Sequence, residues 1–451
     1  MEQFFKLKEH GTNIRTEVIA GLTTFMTMAY ILAVNPNILG AAGMDTGAVF
    51  TATALASALA SFCMALLTNL PFVLSAGMGL NAYFAYTVVI GMGYSWQVAL
   101  AAVFVEGLIF VVLSLTNVRE AIFNAIPKTL KIAVSVGIGL FICFIGLQNA
   151  KIVVDSPTLV GLFRFKSAIA DGTFSSAGVS AVLAMVGTLI TGFFVIKNVK
   201  GHILLGILAT WVLGIICQLA GIYVPNPEAG LFSVIPSALV SMPASIAPTF
   251  FKMDFSAPLL DFIVIIFAFL FVDIFDTLGT LIGCASKADM LDKDGKLPKI
   301  RGALLADSIG TTAGACLGTS TITTFVESSS GIAEGGRTGL TSVVAGALFL
   351  LALFLSPLFL TIPAFATAPA LIVVGFFMMQ QVAKIDWNDA LLAIPAFICI
   401  TSMVFMYSIS DGIAFGIISY TVLHAVAGKS REVTPLMYIL TAVFVLKYML
   451  I

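Results

Sequence analysis

Four carboxylates stand where the surrounding sequence is apolar enough to be membrane-embedded. Asp273 and Asp276 occur in FLFVDIFDTLGTLIG; a spacing of three puts both on one helix face, with Thr277 and Thr280 a turn further on. Glu327 follows a strand-like stretch in TTFVESSSG, and Glu106 is alone in AAVFVEGLIF. An ionisable group at membrane depth is costly, and its default reading is functional. Ionised, such a group accepts N–H hydrogen bonds; it also takes up protons. For Glu106 the alternative is a structural hydrogen bond to a neighbouring helix. For the Asp273/Asp276 pair, one working carboxylate and one anchoring neighbour is the expected division. Glu334 and Arg337, in GIAEGGRTG, read as a pair at the cytoplasmic end of a short helix. None of the three histidines (His10, His202, His424) is near these acids in sequence, so proton handling falls to Asp and Glu.

Six cysteines (Cys63, Cys143, Cys217, Cys284, Cys316, Cys399) lie far apart, in or beside apolar segments, as small buried residues do. There is no CxxC or Cys/His cluster, so neither a metal site nor a disulfide framework is expected. No P-loop, hydrolase elbow or zinc-protease motif occurs. The reading is therefore not an enzyme, with no cofactor, and with no ATP-driven step in this chain.

The elements that position these acids follow from composition. Of 451 residues, 59% are hydrophobic and 10% charged, and the mean hydropathy is +1.08. A soluble protein carries about 25% charged residues. A formal net charge of −1 argues against a basic nucleic-acid binder, and the apolar content against disorder. What remains is an all-α polytopic membrane protein. Reading the apolar runs in order gives fourteen spans: 17–38, 47–68, 76–93, 96–115, 128–148, 177–197, 202–221, 257–284, 299–318, a short 328–336, 338–360, 367–382, 388–408 and 411–427. With the N-terminus inside, seventeen of the 22 Lys and Arg fall on the cytoplasmic side. Four (Lys151, Arg164, Lys166, Lys252) fall outside, and Lys447 lies in a last apolar stretch, 434–450. That asymmetry supports cytoplasmic ends for the fourteen spans. Segment 434–450 either lies along the interface or spans again. The N-terminus lacks signal-peptide features, and 18–34 reads as a retained first helix. The plasma membrane, or a bacterial inner membrane, is the expected location.

The halves echo each other. IPKTLKIAVSVGIGLFI from Ile126 and IPAFATAPALIVVGFFM from Ile362 each open the fifth span of a half. Seven spans is an odd number, so the halves are inverted relative to each other, as in many secondary transporters. The third span, LPFVLSAGMGLNAYFAY from Leu70, and the tenth, TSTITTFVESSSGIAEGGRTG from Thr319, both read as a strand, a turn at small residues (75–77; 328–331) and a short helix. The polarity of the tenth favours irregular backbone buried in protein rather than facing lipid.

Four stretches, GTNIRTEVIAGLTTFMTMAYILAVNP, SAGMGLNAYFAYT, VDIFDTLGTLIG and TTFVESSSGIAEGGRTGLT, closely resemble the azaguanine-type purine permeases. These are a branch of the xanthine/uracil/vitamin C permease family, the second nucleobase–cation symporter family. The likeness runs nearly end to end. It implies proton-coupled uptake of adenine, guanine or hypoxanthine by fourteen helices in a 7+7 inverted repeat. It further implies a core domain (17–118 and 257–360) moving against a gate domain (119–221 and 361–451). Residues 1–16 would form a cytoplasmic N-terminus, 222–256 an external loop, and the protein a homodimer. Carried over by motif, the site acids are Asp273 and Glu327, and the third-span asparagine is Asn81. Where distant uracil and xanthine carriers have a histidine, this chain has Thr277, so no histidine role transfers.

On this reading Glu327 accepts N–H groups from the purine edge, and Ser328 and Ala76 offer backbone amides. Asp273 takes the symported proton, with Asp276 next in line. Thr277 and the GMGLNAYF motif argue against a uracil or xanthine/urate carrier. The carboxylates argue against an anion exchanger or channel of similar architecture.

Overall fold

The computed structural model describes residues 2–115, 126–156, 159–227, 230–287, 290 and 297–450. Arg119, Lys293 and Lys296, counted above among the cytoplasmic charges, lie outside the described residues, as does most of the loop before Leu297.

Each of the fourteen sequence spans has a helical counterpart. The first is broken: α1 (Ile14–Met28) turns at Ala29–Tyr30 into α2 (Ile31–Ala41), which carries Pro36. Then come α3 (Thr46–Thr68), strand β1 (Leu74–Ala76), and α4 (Met78–Ala82), which runs into a π-helical stretch, Tyr83–Gly91. The first half continues with α5 (Trp96–Ser114), α6 (Lys128–Asn149), α7 (Val179–Ile196) and α8 (His202–Leu219). A small hairpin, β2 (Val153–Ser156) and β3 (Leu159–Leu162), follows α6. The second half is α9 (Leu259–Lys287), α10 (Ile300–Leu317), β4 (Ile322–Thr324), α11 (Ser328–Ala333), α12 (Gly339–Ala352), α13 (Ala364–Met379), α14 (Ala390–Phe405) and α15 (Ile409–Val426). Among the described residues, nine helical stretches are long and apolar enough to cross a membrane by themselves. The interrupted third and tenth spans do not count among them, because each spends part of its length as strand.

Those two strands meet. β1 and β4 pair antiparallel, Leu74 with Thr324, Ser75 with Thr323 and Ala76 with Ile322. Two strands of three residues satisfy each other's backbone groups in the middle of the protein, where water is not available to do so. The tenth-span helix starts at Ser328, where the short 328–336 span was read to begin, and the small residues Ser328–Gly331 form its first turn.

Two sets of helices pack internally. In one, α3 lies against α10 and α12, α5 against α9 and α10, and α1 against α12. In the other, α6 lies against α13 and α14, α7 against α8 and α13, and α14 against α15. The two Ile-Pro echoes are at the centre of the second set. Pro127 and Pro363 cap α6 and α13 at their N-termini. Gly139 and Gly375 stand at the same offset from those prolines, and they meet. A Cβ on Gly375 would lie 2.5 Å from the Gly139 carbonyl, and one on Gly139 would lie 3.0 Å from that of Gly375. The internal repeat thus brings its own equivalent glycines into the closest helix crossing. Gly375→Ala should force these backbones apart and cost about 1–3 kcal/mol, as overpacking does. Thermal unfolding in detergent checks this, and an unchanged midpoint would show that the crossing is looser than the distances say.

The last apolar stretch forms α16 (Pro435–Leu450). It runs antiparallel to α15: Thr441 bonds Thr421 at 2.9 Å, and further along Tyr448 donates to Asp411 at 2.6 Å. Of the two placements left open by the sequence, α16 therefore takes the upright one, back along α15.

Candidate functional site

Glu327 sits at the junction of β4 and α11, as the N-cap residue of the short helix. One carboxylate oxygen, Oε1, accepts a 2.7 Å hydrogen bond from the Tyr30 hydroxyl, at the break between α1 and α2. The neighbouring Val326 is 57% exposed, and Glu327 itself is partly exposed. Beside α11 stands α9. Asp276 is partly exposed, and its Oδ2 accepts from Thr323 of β4 at 3.3 Å. Asp276 is also within electrostatic reach of Glu327 and Tyr30. One turn along, Gly279 is exposed, with nothing within 4 Å of where a Cβ would be. Glu327, Asp276, Val326 and Gly279 are therefore each at least partly exposed beside the crossing strands.

Asp273 is elsewhere. It is fully buried, as are Thr277 and Asp307 of α10. The Thr277 hydroxyl lies 2.8 Å from Asp273 Oδ1 and 2.9 Å from Asp307 Oδ1. A hydroxyl has one hydrogen. It can donate to one of these acids only, so the second contact is a hydrogen bond only if the other acid carries a proton and donates it. The Thr277 hydroxyl can therefore bond both carboxyl groups of the trio Asp273–Thr277–Asp307 when one of them carries a proton. The sequence reading gave Asp273 both a place in the substrate site and the symported proton, with Asp276 next in line; the structure has Asp276 partly exposed beside β4 and Asp273 in the buried trio. The physical reason is what each acid meets: Asp273 is bonded by Thr277, which also reaches Asp307, whereas Asp276 meets Thr323 of β4 and stays partly exposed.

The other expected residues are also placed. Asn81 is buried and accepts from the Ser320 hydroxyl, so its oxygen is committed to the segment before β4. Its Nδ2 has no hydrogen-bond partner. The Ser328 amide, expected to meet a ligand, instead donates to the Phe325 carbonyl at 3.1 Å, and the Ser328 hydroxyl accepts from Val73 N at 3.0 Å. Ser329 and Ser330 amides are likewise taken, by Val326 and Glu327 carbonyls. The turn Phe325–Ser330 closes on itself, so it presents side chains rather than free amides. Ala76 is fully buried within the β1–β4 ladder. Glu106 resolves toward its structural alternative: the Thr321 hydroxyl donates to it at 2.8 Å, anchoring the approach to β4 on α5. Glu334 pairs with Lys200, not Arg337; the Arg337 guanidinium donates to the Ile332 and Gly336 carbonyls. Arg337 is held there because its own backbone N–H, like Thr341 of α12, bonds Glu17, a fully buried acid of α1. His424 stacks on Tyr420 and His202 packs against Phe377.

Sequence reasoning passed over Tyr30, Glu17 and Asp307. Asp307 carried a usable signal: it is an acid inside the apolar run 299–318, subject to the same cost as Asp273. Tyr30 carried none, since one tyrosine in an apolar helix is ordinary. A separate cavity of about 370 Å³ lies among Asn37, Asn149, Lys151, Tyr223 and Phe365. None of the acids above lines it.

Comparison with known proteins bears on what such a site serves. The chain is 48% identical to a putative permease of Methanocaldococcus jannaschii, over 99% of this chain and 98% of that one. It is 42% identical to the adenine permease AdeP of Escherichia coli, over 100% of this chain and 96% of that one. With the guanine/hypoxanthine permease PbuG of Bacillus subtilis it shares 44% identity, over 99% of both chains. Among solved structures, the transmembrane domain of the cyanobacterial bicarbonate transporter BicA superposes with a TM-score of 0.65, over 89% of this chain and 97% of that one. At 16% identity that likeness speaks for the fold alone, an all-α inverted repeat. Matched by the permease family over residues 15–415, with the paired strands and the Glu327 junction inside that span, the chain belongs to that family.

Proposed function

We propose that this permease carries purine nucleobases (hypoxanthine, guanine or adenine) across the plasma membrane together with protons. The observation that carries the reading is the pair of partly exposed carboxylates, Glu327 and Asp276, within electrostatic reach of each other beside the crossing strands. A purine is flat and neutral, with N–H donors on its edge, and a carboxylate is the strongest acceptor a side chain offers them. The relatives named for adenine and for guanine/hypoxanthine support the substrate class. Two acids there disfavour an anion as cargo, although the fold is shared with a bicarbonate transporter.

In the proposed mechanism Glu327 Oε2 accepts a purine N–H while Tyr30 occupies Oε1. Asp276 completes the polar wall. The symported proton resides in the Asp273–Thr277–Asp307 trio, where it cancels a charge that would otherwise resist relocation in a low-dielectric interior. The set of helices around α3 and α10, with the site on it, moves as a core against the set around α6 and α13. Contacts between the two sets flank the site. Asn149 of α6 bonds the Tyr86 hydroxyl at 3.0 Å, and Lys200, beside α8, pairs with Glu334. The N-terminus faces the cytoplasm and the working unit is a homodimer in a lipid bilayer.

The test is uptake of radiolabelled hypoxanthine into proteoliposomes with and without an inward proton gradient. Accumulation should require the gradient, and guanine or adenine should compete where uracil does not. Strong uracil uptake without purine uptake would overturn the assignment.

A further inference from the structure

We infer that Tyr30 is a positioning residue for substrate recognition, holding the Glu327 carboxylate in the orientation that meets the purine. The inference rests on Glu327 being the purine acceptor. Three observations carry it. The Tyr30 side chain is fully buried, yet its hydroxyl ends on the partly exposed carboxylate of Glu327. The bond, 2.7 Å to Oε1, joins residues 297 apart in sequence and ties the α1–α2 break to the start of α11. The Tyr30 ring also lies beside that of Phe325, with centroids 6.5 Å apart, so the phenol is braced by the segment whose glutamate it holds.

The physical consequence is orientational. A glutamate side chain has three rotatable bonds, and Glu327 is partly exposed. Fixing Oε1 removes most of that freedom before substrate arrives, leaving Oε2 as the acceptor for the purine. A preorganised acceptor loses less entropy on binding than one ordered by its ligand. The hydroxyl also keeps Glu327 from turning toward the nearby Asp276 once either acid is protonated. Tyr30 need not touch the purine to do this.

The experiment is a double-mutant cycle on the purified full-length protein, with hypoxanthine binding by calorimetry and uptake in proteoliposomes. Tyr30→Phe removes only the hydroxyl and keeps the ring on Phe325. It should weaken hypoxanthine binding about tenfold, the size of one lost hydrogen bond to a charged group. It should raise KM for uptake by a similar factor and leave the maximal rate within about twofold. In a Glu327→Gln background the same change should cost nothing further, because there the hydroxyl holds the amide oxygen away from the purine and its loss leaves the amide free to turn. That non-additivity separates positioning from general destabilisation, which would add in both backgrounds. Tyr30→Gln, which returns a donor, should recover part of the affinity; Tyr30→Leu should not. If Tyr30→Phe binds normally while Glu327→Gln does not, the inference fails and the role of Glu327 stands. If Glu327→Gln binds normally, the underlying reading fails and the inference with it. Fully additive losses would also overturn the positioning role.

Discussion

Glu327→Gln is expected to bind purines roughly ten- to more than a hundredfold more weakly, the worth of about 1.5–3 kcal/mol for a hydrogen bond to a charged group. The structure says why this conservative change is severe. Gln keeps one oxygen, and the Tyr30 hydroxyl, fixed by its buried ring, can retain that oxygen as acceptor. The amide nitrogen then takes the position of Oε2 and points donors at the purine N–H. Donor meets donor, and neither satisfies the other. The backbone should be unaffected, since the amides of Ser328, Ser329 and Ser330 are satisfied by the turn itself rather than by the glutamate side chain. Calorimetry with hypoxanthine on the purified variant measures the loss. Normal affinity would remove Glu327 from the site.

Asp273→Asn should have the opposite signature, with binding retained and coupling lost. In the buried trio, Asn at 273 can donate its amide N–H to Thr277, whose own hydrogen then goes to Asp307. This reproduces the bonding of the proton-loaded trio without a removable proton. Purine affinity should stay near normal and lose much of its pH dependence. Accumulation driven by a proton gradient should fail, while exchange of internal for external purine continues. Asp307→Asn should do the same, because Thr277 stands between the two acids and either can supply the second hydrogen. Uptake and counterflow in proteoliposomes distinguish these behaviours. Full proton-driven accumulation by both variants would move coupling out of the trio, and Asp276 would be the next residue to test.

Gly375→Ala, by comparison, acts on the scaffold alone. Its crossing with Gly139 is in the set of helices that does not carry Glu327. A stability loss there without a change in purine affinity would show that the site belongs to the other set.

What the sequence determined by itself was the one-dimensional part of the problem. Apolar run length is set by bilayer thickness, so the fourteen spans were readable from hydropathy, and each has its helix. Strand-like residues in otherwise apolar spans marked 70–86 and 319–336 as interrupted, and β1 and β4 are there. Acids in apolar runs are costly wherever they point, so Asp273, Asp276, Glu106 and Glu327 stood out without any structure. Tertiary structure decided the relations across the chain. A spacing of three says that Asp273 and Asp276 share a face; only the fold makes one a buried partner, through Thr277, of Asp307 and leaves the other partly exposed beside β4. The Tyr30–Glu327 bond spans 297 positions, and no local pattern encodes a partner at that separation. The same holds for α16, whose apolar composition suits the interface as well as the interior. Its upright course was settled by Thr441 and Tyr448 finding partners along α15. Burial cost is a property of a residue and its neighbours in sequence, whereas the identity of the group that offsets it is a property of the fold.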